Sequence, residues 1–133
     1  MIVLDASAAV ELVLRTPLAE RIAALVLDAS EQLHAPHLID IEVAQVLRRL
    51  AQSAELTPAR AALALADFCD LAIERHAHGV LLRRVWSLRT VMSAYDASYV
   101  ALAEALAAPL VTCDGRLARA PGHTAEIELI ATP

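Results

Sequence analysis

The chain opens on Ile2-Val3-Leu4-Asp5, three apolar residues in succession and then an acid. An apolar run without alternation is the pattern of a strand covered on both faces, the habit of parallel sheets. Pro109-Leu110-Val111-Thr112-Cys113-Asp114 repeats the pattern late in the sequence. Between the two runs the spacing turns helical. Ser7 is placed to cap a helix to about residue 14, and Pro17 to open a second to about residue 29. Val43, Val46, Leu47 and Leu50 form a helical stripe over residues 40–52. Thr57-Pro58 is an N-cap followed by proline at the first helical position, which predicts a helix to about residue 71, antiparallel to the preceding one. Further helices are expected over 79–88, from Ser93 through 106, and over 116–120; short strands are expected at 33–35, 73–76 and 127–130. Strands alternating with helices predict an α/β fold with a mostly parallel sheet. With no linker, repeat or low-complexity segment, residues 1–133 read as a single domain.

Net charge is −5 and mean hydropathy +0.52, so overall basicity does not drive nucleic-acid binding. All 11 basic residues are Arg. The clusters Arg48/Arg49, Arg83/Arg84/Arg89 and Arg116/Arg119 can each hold a phosphate or simply solvate a helix face. Aromatic residues make up only 3% of a chain that is 58% hydrophobic, which suggests apolar surface covered by another chain. Cys69 and Cys113 have no metal-type spacing and read as reduced thiols in or near the core. The N-terminus lacks the basic segment of a signal peptide, and no window of about 18 residues escapes a charge. The expectation is a cytoplasmic protein without a membrane span.

Ligands of open parallel sheets bind outside the carboxyl ends of the strands. Asp5 and Asp114 directly follow apolar runs and so belong at that edge. Asp96 lies three residues after Ser93, near a helix N-terminus, on the same stripe as Val100 and Ala103. Glu42 sits early in its helix, beside Val46 and Leu50. Each acid alone has an ordinary structural role open to it, as a cap, a turn residue or an ion-pair partner. Four acids in one crevice repel one another and call for a cation. Hard oxygen donors point to Mg²⁺ or Mn²⁺ rather than zinc, and carboxylate-held ions of that kind activate water for phosphodiester hydrolysis. Ser7 and Thr112 flank the acids and can orient ligands or water, or serve as capping and turn residues.

Other chemistries lack their residues. There is no lysine for a phosphoryl-accepting aspartate site or a P-loop, no G-x-G-x-x-G, and no nucleophile elbow. His76-Ala77-His78 is a close histidine pair, but a zinc site needs further ligands. Trp86 is expected to pack its helix rather than stack on a base. Asp40 cannot share a helix face with Glu42 and reads as a cap or as support for another acid.

These segments resemble, in order and over almost the whole chain, the PIN-domain ribonucleases, specifically the VapC toxins of bacterial type II toxin–antitoxin modules. Ile2-Val-Leu-Asp-Ala-Ser7 is similar to the first family motif, with Asp5 as its acid. Ile41-Glu-Val-Ala-Gln-Val-Leu-Arg-Arg49 is similar to the second, with Glu42. Tyr95-Asp-Ala-Ser-Tyr-Val-Ala-Leu-Ala-Glu104 closely matches the third, with Asp96. Pro109-Leu-Val-Thr-Cys-Asp-Gly-Arg-Leu-Ala118 matches the last, with Thr112 and Asp114 in place. The resemblance implies a three-layer α/β/α sandwich and a Mg²⁺- or Mn²⁺-dependent endoribonuclease. It implies Asp5, Asp96, Asp114 and Glu42 as metal-holding and catalytic residues. It also implies a homodimer and a VapB-type antitoxin whose C-terminal segment wraps the toxin. Arg116 is the expected phosphate contact. Two other readings stand beside it: a PIN-fold nuclease for RNA maturation or DNA outside such a module, and a non-catalytic interaction domain.

Overall fold

Ile2-Val3-Leu4 forms strand β1 (Ile2–Leu4), and all three side chains are buried, as a strand covered on both faces requires. The structure, a computed structural model, describes residues 1–132. Helices α1 (Ala6–Leu14) and α2 (Ala19–Val26) follow, then β2 (Leu33–Pro36), α3 (Leu38–Gln52) and α4 (Pro58–Cys69). The second half runs β3 (Ile73–His76), a 3₁₀ turn (His78–Leu81), α5 (Leu82–Ser87), α6 (Ala94–Leu106), β4 (Leu110–Thr112), α7 (Gly115–Arg119) and β5 (Ile127–Leu129). The five strands are all parallel, in the order β3-β2-β1-β4-β5. The expected α/β fold is present, and where a mostly parallel sheet was expected every pairing is parallel.

β4, like β1, is buried at every residue, so helices cover both faces of the sheet centre. α6 packs on β1 and β2 with α5 beside it, while α1 contacts α2, α3 and α4. Tyr99, Phe68, Leu4, Ile22, Ile39 and Leu110 are the large side chains that fill the interior. The caps explain where the elements start. Thr57 Oγ1 accepts the Arg60 N–H at 3.1 Å, and Ser93 Oγ accepts the Asp96 N–H at 3.1 Å. α6 ends when Ala107 enters the left-handed region at φ 50°, returning its N–H to Ala103 and Glu104.

Five local expectations change. Ser7 does not cap α1; Asp5 occupies the cap position, and the Ser7 hydroxyl turns back to the Asp5 carboxylate. The helix expected from Pro17 is shorter, starting at Ala19 and ending at Val26. Asp40 caps nothing; its two carboxylate oxygens instead share the Arg75 Nε–H at 2.8 and 2.9 Å. Trp86 is 67% exposed, with the Arg89 guanidinium 4.7 Å from its ring centre. Cys69 is exposed and Cys113 is half-buried, so only the second borders the core.

Candidate active site

β1 and β4 are neighbours, and their carboxyl ends deliver Asp5 and Asp114 to the same edge of the sheet. The strand order reverses there, between β1 and β4, which is where an open parallel sheet leaves a crevice. A cavity of about 500 Å³ occupies it, lined by Asp5, Ser7, Glu42, Asp96, Asp114 and Arg116 among others. The four acids thus come from β1, α3, α6 and the β4–α7 junction into one space. A larger groove of about 850 Å³ lies between α1 and α2, lined by Leu12, Val13, Ala23 and Leu71. It holds no comparable set of convergent carboxylates; those meet in the smaller cavity.

Asp5 is the most constrained acid. It is 6% exposed, and its Oδ2 accepts hydrogen bonds from Ser7 Oγ at 2.6 Å and Thr112 Oγ1 at 2.7 Å. Each of those hydroxyls is itself held by a backbone donor: Cys113 N–H on Ser7 Oγ at 2.9 Å and Asp114 N–H on Thr112 Oγ1 at 3.0 Å. The hydroxyl oxygens are occupied as acceptors, so their protons are free to aim at Asp5. Thr112 does not line the cavity; it acts from behind Asp5, fully buried. Asp114 caps α7 by accepting the Arg116 N–H at 2.8 Å.

Burial pushes the Asp5 carboxyl above its ordinary range, against the pull of the Ser7 and Thr112 hydrogen bonds, and Asp114 adds to the push. Glu42 is raised by burial and then by Asp5 and Asp96, with its hydrogen bond from Tyr99 acting the other way. Asp96 is raised by burial and by both Asp5 and Asp114. The nearest arginine gives little relief, since Arg116 is 3.8 Å from Asp114 with a side chain 88% exposed. Among the described residues no three of these acids bring oxygens mutually within 4.8 Å. Three of them therefore reach one ion together only through bridging water or a shift of a side chain. The all-oxygen donor set and its uncompensated negative charge fit a hard divalent ion in charge and hardness.

Tyr99 is a site residue that the sequence reading missed. It is fully buried on α6, one turn after Asp96, and its hydroxyl donates to Glu42 Oε1 at 2.6 Å. The available signal was an aromatic with a polar tip on the face that carries Asp96.

The PIN domain family model matches residues 2–123. Ribonuclease VapC12 of Mycobacterium tuberculosis is 42% identical over 131 residues, spanning 98% of this chain and 100% of that protein. The chain belongs to the PIN-domain VapC ribonuclease family. Ribonuclease VapC9 of the same organism is 50% identical over 117 residues, covering 88% of each chain. Among solved structures, VapBC2 from Rickettsia felis, bound to a DNA fragment from its promoter, superposes with a TM-score of 0.70 at 16% identity over 97% of this chain and 98% of that one. VapC20 of Mycobacterium tuberculosis, a Sarcin-Ricin loop cleaving toxin, superposes at 0.68 with 15% identity over 89% and 93%. At those identities the structural likeness concerns the VapC fold. No helix among the described residues is long and apolar enough to cross a membrane.

Proposed function

We propose that the cavity of Asp5, Glu42, Asp96 and Asp114 is the catalytic centre of an endoribonuclease, and that the protein is the toxin of a type II toxin–antitoxin module. The supporting observation is that four carboxylates from four separate segments meet in one cavity, three of them held above their ordinary range by burial and mutual repulsion. Asp5, Asp96, Asp114 and Glu42 would hold Mg²⁺ or Mn²⁺. Such an ion supplies charge against the scissile phosphate and acidifies the attacking water.

The protein side chains do the rest. Ser7 and Thr112 fix the Asp5 carboxylate so that it cannot swing away from the cavity. Tyr99 occupies Glu42 Oε1 and leaves Oε2 to orient the water and accept its proton. Arg116 and Arg49, both on the cavity wall, are placed to hold phosphates flanking the scissile bond. In-line attack by water needs no covalent intermediate on the protein.

On this reading residues 1–133 act as one PIN-type domain in the cytoplasm, with RNA as substrate and a VapB-type antitoxin as partner. A basic antitoxin segment is drawn to the same acidic cavity and would compete there with the metal. The protein forms a homodimer through an exposed apolar face on which Val80, Leu82, Trp86 and Tyr95 are each more than 60% exposed.

Incubation with RNA in Mg²⁺ or Mn²⁺ tests the assignment. Discrete cleavage products are expected with the metal, none with a chelator, and none from Asp96→Asn. Undiminished cutting by folded Asp96→Asn protein overturns the site.

A further inference from the structure

Four of the five histidines fall in two short segments, His34-Ala-Pro-His37 and His76-Ala-His78, at the β2 and β3 end of the sheet. In the β2–β3 register His34 lies opposite Glu74, and Pro36 opposite His76. Residues in register share a sheet face, and side chains alternate along a strand, so His34, Glu74 and His76 project from one face. Arg75 projects from the other and pairs with Asp40. His78, the partner of His76 that the sequence suggests, is engaged elsewhere: its Nε2 accepts the Leu38 N–H at 3.0 Å. The ligand spacing that a linear reading looks for along one strand is met instead across two.

His34 Nδ1 lies 2.9 Å from His76 Nε2 and 3.7 Å from Glu74 Oε2. The three donor atoms are mutually within 4.8 Å, the one trio of possible ligands among the described residues that is so close. A tetrahedral ion bound at about 2.0–2.1 Å separates its ligand atoms by roughly 3.3 Å, which the two measured distances bracket. His34 is 4% exposed, His76 half-buried and Glu74 exposed. One ligand is thus fixed by packing while the other side stays open for an ion to enter and keep a water. Burial, partly opposed by Glu74 and reinforced by His76, lowers the His34 pKa and so favours the neutral ring that a metal requires. His34 Nε2 has no protein partner, so every polar contact of the ring is on the Nδ1 side, within the trio.

We propose that His34, Glu74 and His76 form a second metal site, of the borderline class that takes Zn²⁺, clipping edge strand β3 to β2. Its two imidazoles set it apart from the all-oxygen cavity at β1 and β4, which suits harder ions. An ion bound only by the folded state raises stability by mass action. The site draws on none of the four acids, so it stands or falls independently of the nuclease assignment.

The test uses untagged, metal-stripped whole protein dialysed against Zn²⁺ with excess Mg²⁺ present, followed by metal analysis and thermal melts. One equivalent of Zn²⁺ is expected, with a higher Tm. The equivalent should persist in Asp96→Asn and weaken by at least about tenfold in His76→Ala and Glu74→Gln. His34→Ala empties a buried position and is a poor probe, whereas Glu74 and His76 lie on the open side of an edge strand and can be changed without opening the core. Zn²⁺ binding that survives His76→Ala but vanishes in Asp96→Asn overturns the proposal, as does failure of the unaltered protein to bind Zn²⁺. In either case the histidines form only a hydrogen-bonded pair.

Discussion

The Tyr99 hydroxyl donates to Glu42 Oε1 at 2.6 Å, joining the first half of α6 to the start of α3 behind the acidic cavity. Burial and the adjoining carboxylate hold the phenol well above its ordinary range, so it stays a donor wherever the protein is folded. Tyr99→Phe keeps the buried ring and removes only the oxygen. The expected cost is about 1.5–3 kcal/mol in stability, because the bond is to a charged group. Divalent-metal affinity should fall by about 10–100-fold through loss of Glu42 orientation. Thermal melts and Mn²⁺ titration measure the two effects separately.

Asp96→Asn should have opposite effects with and without metal. A carboxyl whose pKa is raised by folding binds its proton more tightly in the folded than in the unfolded chain. Its ionised form therefore costs stability above the raised value, and the cost fades as pH falls through it. In chelator at neutral pH the variant should melt a few degrees above the parent. With saturating Mn²⁺ the parent should gain and the variant should not. A variant that melts lower in chelator would contradict the electrostatic account.

RNA cleavage should lose activity on the acid side at a pH above the ordinary carboxylate range of about 4. On the proposed site assignment the raised Asp5, Glu42 and Asp96 must be ionised to hold an ion, so protons compete with metal for them. Raising Mn²⁺ from subsaturating to saturating should move that limb to lower pH. Rate profiles at the two concentrations give the answer directly.

Thr112→Val and Thr112→Ser should part company. Valine keeps the shape of this fully buried side chain but removes a donor to Asp5 and strands the Asp114 N–H. A loss of about 1–3 kcal/mol is expected, with weakened cleavage. Serine preserves both hydrogen bonds and should retain most activity, at about 1 kcal/mol for the missing methyl. Equal damage from both would place the role of Thr112 in packing alone.

Trp86→Glu should yield a monomer by light scattering while leaving the Tm of the subunit nearly unchanged. The side chain contributes little to its own core, being 67% exposed, so its apolar area is available to a second copy. A dimer that persists places the interface on another face.

Much of this architecture can be read from residues near one another in the chain. Apolar runs ending in acids located β1 and β4, and Thr57-Pro58 and Ser93 marked helix starts that the hydrogen bonds reproduce. Local pattern fails where a side chain's partner is distant. Ser7 has the composition of a cap, but its hydroxyl oxygen accepts the N–H of Cys113, 106 residues away, and its proton goes to Asp5. Tyr99 reads as core because its ring is core; the one atom that matters is invisible to hydrophobic periodicity. Trp86 shows the converse, since periodicity marks an apolar face without saying whether this chain or another covers it. Asp40 and Arg75 meet only because β2 and β3 bring α3 beside the sheet edge.

β4 fills the slot between β1 and β5 and carries the last of the four acids into the cavity. Until that strand is synthesised, one side of β1 is unpaired and neither Thr112 nor Asp114 exists to complete the Asp5 environment. Chains fold from the N-terminus as they are made, at about 5–20 residues per second. Every nascent or truncated product ending before residue 114 is therefore built without a finished cavity. A cell translating this protein therefore meets the complete constellation only after residue 114 has been made, and a stop codon ahead of that position leaves a product with no assembled set of four acids.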